Sequence, residues 1–133
     1  MIAPMREDLT RYGVEEARTP AAVDSMVAAD NGTVLMIVNS VCGCAAGRAR
    51  PAVGIALQHA AKPAKIGTVF AGGDEEAVAH LRDLLADYPP SSPSMALFQG
   101  GKPVFMIHRS EIERRDPAQI AKLLTDAFDR FCV

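Results

Sequence analysis

The sequence predicts an α/β fold in three layers, a mixed central sheet with helices on both faces. Three observations carry this. Thr33–Asn39 and Lys65–Phe70 are β-branched, apolar runs without polar alternation, the pattern of strands covered on both sides. Helical segments alternate with them in β-α-β order, which sets the early strands parallel. Met95–Phe98 and Val104–Arg109 then flank Gln99-Gly100-Gly101-Lys102, a hairpin signal that makes the last two strands antiparallel.

Each element has a local reason. Pro4 opens a short helix over Met5–Tyr12, and Gly13 closes it. Val14–Arg18 is a weak strand. Thr19-Pro20 is a helix start, with Ala22, Val23, Met26 and Val27 as the apolar stripe and Asn31-Gly32 as the stop. Ala45–Ala61 reads as a helix kinked at Pro51, because proline removes a backbone donor. Gly72-Gly73 ends the second buried strand. Asp74–Tyr88 is an amphipathic helix whose one face collects Ala77, Val78, Leu81, Leu84, Leu85 and Tyr88. Its first turn carries Glu75 and Glu76, as the helix dipole favours. Pro89–Ser94 is irregular. Asp116-Pro117 begins the last helix, with Ile120, Leu123, Leu124, Ala127, Phe128 and Phe131 on its buried stripe. No repeat or linker divides the 133 residues, so residues 1–133 are expected to form a single domain with a short N-terminal helical extension.

Composition narrows the function. The 49% apolar and 23% charged content excludes a disordered or fibrous chain. The longest apolar run, Val34–Val38, is five residues, against about 20 for a membrane helix. Met1–Asp8 lacks a basic patch followed by an apolar stretch, so the expected compartment is the cytoplasm, with no membrane partner. A net charge of −2 argues against a nucleic-acid partner. Between Asn31 and Gly73 there is no acidic residue, yet Arg48, Arg50, Lys62 and Lys65 lie there.

Three cysteines are too few for a disulfide framework. Cys42-Gly43-Cys44 falls where the central strand ends and a helix begins. A helix N-terminus offers unpaired N–H groups and partial positive charge, both of which favour a thiolate. Arg48, four residues past Cys44, and Arg50 add positive potential, while Ala45, Ala46 and Gly47 leave room for a partner's sulfur. A disulfide across one residue closes a small, strained ring, which Gly43 partly relieves; such a bond is exchange-prone. The pair therefore reads as a redox dithiol. Inert buried thiols are the plain alternative. A metal carrier is a rival of a different class. However, a closed zinc site needs four ligands, and His59, His80 and His108 are scattered. A-type iron–sulfur carriers pair Cys-Gly-Cys with an upstream cysteine, and none precedes Cys42. Cys132, at a helix C-terminus where the dipole disfavours a thiolate, reads as an incidental thiol or a secondary resolving thiol. Pro93 precedes the third strand, where an X–Pro bond can be cis.

The block Val38-Asn39-Ser40-Val41-Cys42-Gly43-Cys44-Ala45-Ala46-Gly47, followed by Ala49-Arg50-Pro51-Ala52, resembles the bacilliredoxin family of thioredoxin-like proteins. Pro4-Met5-Arg6-Glu7 and Tyr88-Pro89-Pro90-Ser91-Ser92-Pro93-Ser94 resemble it too, so the likeness spans nearly the whole chain. The resemblance implies a thioredoxin-like fold and a thiol–disulfide oxidoreductase that removes bacillithiol from S-bacillithiolated proteins. Disulfide isomerase activity is also associated with the family. The resemblance further implies that Cys42 attacks, that Cys44 resolves, and that Pro93 is cis. Bacillithiol is then a co-substrate, no bound cofactor or metal is expected, and the partners are S-thiolated cytosolic proteins. Bacillithiol carries carboxylates, so the acid-free segment offers it an attraction; the same four cations also read as ordinary solvated side chains. Gly43, Arg48, Arg50 and Pro93 are the expected substrate-binding residues. A non-catalytic adaptor or metal carrier on the same fold is the alternative.

Overall fold

The computed structural model describes residues 2–132. In chain order the elements are α1 (Ala3–Thr10), β1 (Glu15–Glu16), α2 (Pro20–Val27), a 3-10 turn (Ala29–Asn31), β2 (Thr33–Asn39), a π-helical turn (Ala45–Ala49) running into α3 (Arg50–Ala56), β3 (Lys65–Phe70), α4 (Glu75–Leu84), β4 (Ser94–Gln99), β5 (Lys102–Ile107), α5 (Arg109–Glu113) and α6 (Pro117–Phe131). The five strands lie in the order β1-β3-β2-β4-β5. The β1–β3 and β3–β2 pairs are parallel, and the β2–β4 and β4–β5 pairs are antiparallel. The mixed sheet is the expected one.

β2 runs through the middle and is buried on both faces. Strand side chains alternate between faces. Leu35 and Ile37 accordingly join a core with Leu9 of α1, Val53 of α3, and Ile120, Leu124 and Phe128 of α6. Val34, Met36 and Val38 join a second core with Val23 and Met26 of α2 and Val78 and Leu81 of α4. Burying each such aliphatic or aromatic side chain contributes about 1.5–3 kcal/mol, and this secures the sheet between its helices. Among the described residues no helix is long and apolar enough to cross a membrane.

Local chemistry sets the boundaries. Thr19 caps α2 by accepting the Ala22 N–H, and Asp116 and Gln119 form a reciprocal capping box at α6. The helix after the cysteines ends at Ala56 instead of Ala61. Its irregularity is a wide turn before Pro51: the Arg50 N–H reaches back to the Ala45 carbonyl. Pro51 has no N–H with which to continue the ordinary ladder. α4 stops at Leu84, which is exposed, and Leu85 takes the buried place. β5 starts at Lys102 and carries a bulge near Phe98. It ends at Ile107 because the chain turns into α5, a short helix not expected from the sequence, whose start is closed by His108 and Glu111.

Candidate active site

β2 delivers the cysteine pair to one end of the sheet. Beyond Asn39 the chain turns through Ser40 and Val41 and becomes helical from residue 43. The Ala45 and Ala46 N–H groups donate to the Cys42 carbonyl at 3.1 and 3.2 Å. The Cys42 N–H donates to the Ser40 hydroxyl at 3.4 Å. Cys42, Cys44 and Cys132 are free and half-buried.

Burial pushes the Cys42 thiol up. The Ser40 hydroxyl, the Ala45 and Cys44 N–H groups and the charge of Arg109 outweigh it, leaving Cys42 more acidic than an ordinary thiol. A thiol shifted in this direction has a larger thiolate fraction at a given pH than an ordinary one. Close to Cys42 in the chain, Gly43 and Gly47 border open space. Gly43 has no positive φ, so nothing in the reduced pair demands glycine there. Ser92–Pro93 is cis. Pro93 is buried and directly precedes Ser94, which pairs with Val38 near the same end of β2.

The cation facing Cys42 is Arg109, a residue the sequence reading missed. It begins α5, donates to the Ser92 carbonyl at 3.2 Å and pairs with Glu113 at 2.6 Å. Its own pKa is raised, first by Glu113 and then by Cys42. The hairpin held the signal. Met95 pairs with both Ile37 and Ile107, so two antiparallel steps return the end of β5 to the end of β2.

The other expected cations are placed differently. Arg48 is half-buried and donates to the Glu113 carbonyl, one of the orphan acceptors at the end of α5. Arg50 is 4% exposed, so it does not sit on the substrate surface. Its guanidinium turns inward, to Asn39 Oδ1 and the Ser40 carbonyl, both at 3.0 Å. Lys65 opens β3 beside Val34, at the other end of the sheet, and Lys62 lies three residues before it. The acid-free segment is therefore not one positive surface around the sulfur.

Cys132 also lies at that far end. Burial pushes its thiol up, against the Thr33 hydroxyl beside it. Thr33 and Asn39 close a seven-residue strand, so they are about 20 Å apart. Cys132 is too distant to resolve an adduct on Cys42. The histidines serve local contacts: His59 meets Asp129 at 2.8 Å, His80 meets Asp24 at 2.6 Å, and His108 caps α5.

A family model described as disulphide isomerase matches residues 1–132. A bacilliredoxin of Koribacter versatilis is 54% identical over 132 residues, which cover 99% of this chain and 91% of that protein. A bacilliredoxin of Shouchella clausii is 48% identical, with 99% and 91% covered. Among solved structures, a mutant thioredoxin from Halobacterium salinarum superposes with a TM-score of 0.64 at 17% identity, covering 90% of each chain. The oxidised thioredoxin of Plasmodium falciparum gives 0.62 at 14% identity, over 90% of this chain and 99% of that one. These two establish the fold. With the relatives matching from end to end, the chain belongs to the bacilliredoxin family, with a thioredoxin fold and the character of a thiol–disulfide oxidoreductase.

Proposed function

We propose that the chain is a bacilliredoxin that removes bacillithiol from S-bacillithiolated proteins through Cys42 and Cys44. The observation that carries this reading is the Cys42 sulfur itself, half-exposed and stabilised as a thiolate by Ser40, two N–H groups and Arg109. The Cys42 thiolate attacks the bacillithiol sulfur of the mixed disulfide. The Cys42–bacillithiol S–S bond forms, the S–S bond to the target breaks, and the target leaves as a thiolate that takes a proton from water. Cys44, as a thiolate, then attacks Cys42 Sγ. Bacillithiol leaves with the electron pair, and a Cys42–Cys44 disulfide remains. Two electrons from an external dithiol, or from two small thiols, restore the pair. The co-substrate is thus a small thiol, and the protein partners are S-thiolated targets.

Intact mass after incubation with an S-bacillithiolated protein tests the roles. Cys42→Ser takes up no adduct. Cys44→Ser retains the small-thiol adduct, because its release now needs an external thiol. An adduct on Cys42→Ser and none on Cys44→Ser would reverse the assignment. The family model's description favours a second reading, isomerase activity at the same site. Reactivation of scrambled ribonuclease without release of small thiol is the outcome that favours it.

A further inference from the structure

We infer that Arg50 is a positioning residue for the Cys42 thiolate, acting through Ser40; this rests on the reading of Cys42 as the nucleophile. Asn39, Ser40 and Arg50 are 2%, 6% and 4% exposed, so a polar cluster is closed off directly behind the reactive sulfur. Arg50 Nη1 donates to both Asn39 Oδ1 and the Ser40 carbonyl at 3.0 Å. The Ser40 N–H donates to the same Asn39 oxygen at 2.8 Å. Ser40 is thereby fixed by its carbonyl and its N–H, while its hydroxyl accepts the Cys42 N–H at 3.4 Å and favours the thiolate beside it. From outside, Asp8 of α1 faces Arg50 Nε at 3.2 Å, and Asn39 Nδ2 donates to the Met5 carbonyl at 3.1 Å. The N-terminal helix therefore braces the turn that holds the thiolate.

A buried guanidinium is costly unless paired, and a hydrophobic side chain would fill this space at less cost. The cluster's shape explains its presence. A short strand-to-helix turn carries a carbonyl and an amide that need partners away from water, and Arg50 supplies the donors in a planar fork. The charged and titratable groups facing Cys42 are Arg109 from α5 and Cys44 from its own helix. Asp8 faces Arg50, and Arg11 lies 3.8 Å from Asp8. The Arg50 guanidinium is engaged by Asn39 Oδ1, the Ser40 carbonyl and Asp8. Its influence runs through the geometry of the Ser40 hydroxyl.

The test is the pH profile of Cys42 alkylation by iodoacetamide in the full chain, read by peptide mass. In Arg50→Gln the rate at pH 6.5 falls about five- to tenfold while the alkaline limit is kept, because loss of a thiolate hydrogen bond raises the midpoint by up to about one unit. Arg50→Lys, which keeps a donor, lies between Arg50→Gln and the parent. In a Ser40→Ala background neither substitution moves the midpoint further, since partners in one network are not additive. An unmoved midpoint in Arg50→Gln, or a shift that adds fully to that of Ser40→Ala, overturns the proposal. If Arg50→Gln does not fold, Arg50→Lys alone and with Ser40→Ala gives the same decision. Failure of the underlying reading looks different: Cys42→Ser would then exchange thiols as fast as the parent.

Discussion

Arg109 Nη1 donates to the Ser92 carbonyl at 3.2 Å, which ties the start of α5 to the loop bearing Pro93. The same side chain faces Cys42, so one residue joins the proline loop to the thiol electrostatically. A cation beside a thiolate favours the charged form, so its removal raises the thiol pKa. Arg109→Gln is expected to slow Cys42 alkylation at pH 7 about two- to threefold, with no change at pH 10; the effect is modest because an exposed charge is screened. Parallel profiles measured in 20 mM and 500 mM salt check it, and the difference should shrink in high salt.

Cys42 and Cys132 are shifted in opposite directions. Thiols react as thiolates, and the thiolate fraction rises with pH through the midpoint. Alkylation of Cys42 should therefore level off at a lower pH than that of Cys132. At pH 7 Cys42 is expected to label at least about tenfold faster. Equal rates by time-resolved peptide mass would contradict the site.

Asp74 is the acid whose loss should be felt most in folding. It accepts two hydrogen bonds from Arg6 at 2.8 Å and one from the Phe70 N–H at 3.2 Å, nearly out of solvent. Burial pushes its carboxyl up, but Arg6 outweighs this and holds it below the usual range. A carboxyl depressed by folding stabilises fully above its unfolded value, near about 3.9, and that stability is lost as pH falls through the folded value. Asp74→Asn should cost about 2 kcal/mol at pH 7, because the buried Arg6 then keeps only Glu16, at 3.0 Å, as a charged partner. Urea melts at pH 7 and pH 3 should show the mutant losing less on acidification than the parent.

Val41 is 60% exposed beside the reactive cysteine, and Gly43, Ala46 and Gly47 are exposed around it. Under the proposed function a folded target protein would meet this apolar rim, whereas a small disulfide would not need it. Val41→Ser should raise KM for an S-thiolated protein about fivefold, the equivalent of about 1 kcal/mol of lost apolar contact. Turnover of a small aromatic disulfide should stay unchanged, and equal losses on both substrates would assign Val41 to the chemistry instead.

The sheet was legible because β2 and β3 are apolar without alternation and the hairpin carries its own glycines. Thr19, Gly13 and Asp116 mark chain reversals and helix starts through side-chain chemistry that acts within a few residues. The cysteine pair was legible for the same local reason. Arg109, α5 and the inward course of Arg50 were not, because each depends on contacts between segments far apart in the chain. Arg50 sits 10 and 11 residues from its partners Ser40 and Asn39, and Arg109 sits 17 from Ser92. Charge along the chain also misled: Lys65 belongs to the acid-free segment in sequence but to the opposite end of the sheet in space.

The wide turn at Ala45–Ala49 turns chain length into a requirement. Each residue added to or taken from a helical run rotates everything downstream by about 100°. Arg50 faces Asn39 and Ser40 with the present count of residues after Cys44. Deleting Ala46 alone, a change that removes no functional group, would rewind the run toward a regular helix and swing Arg50 away from the strand end. Replacing Ala46 with another small residue would leave the spacing intact. In this stretch the number of residues matters more than their identity, so an aligned set of relatives should vary here by substitution and not by insertion or deletion.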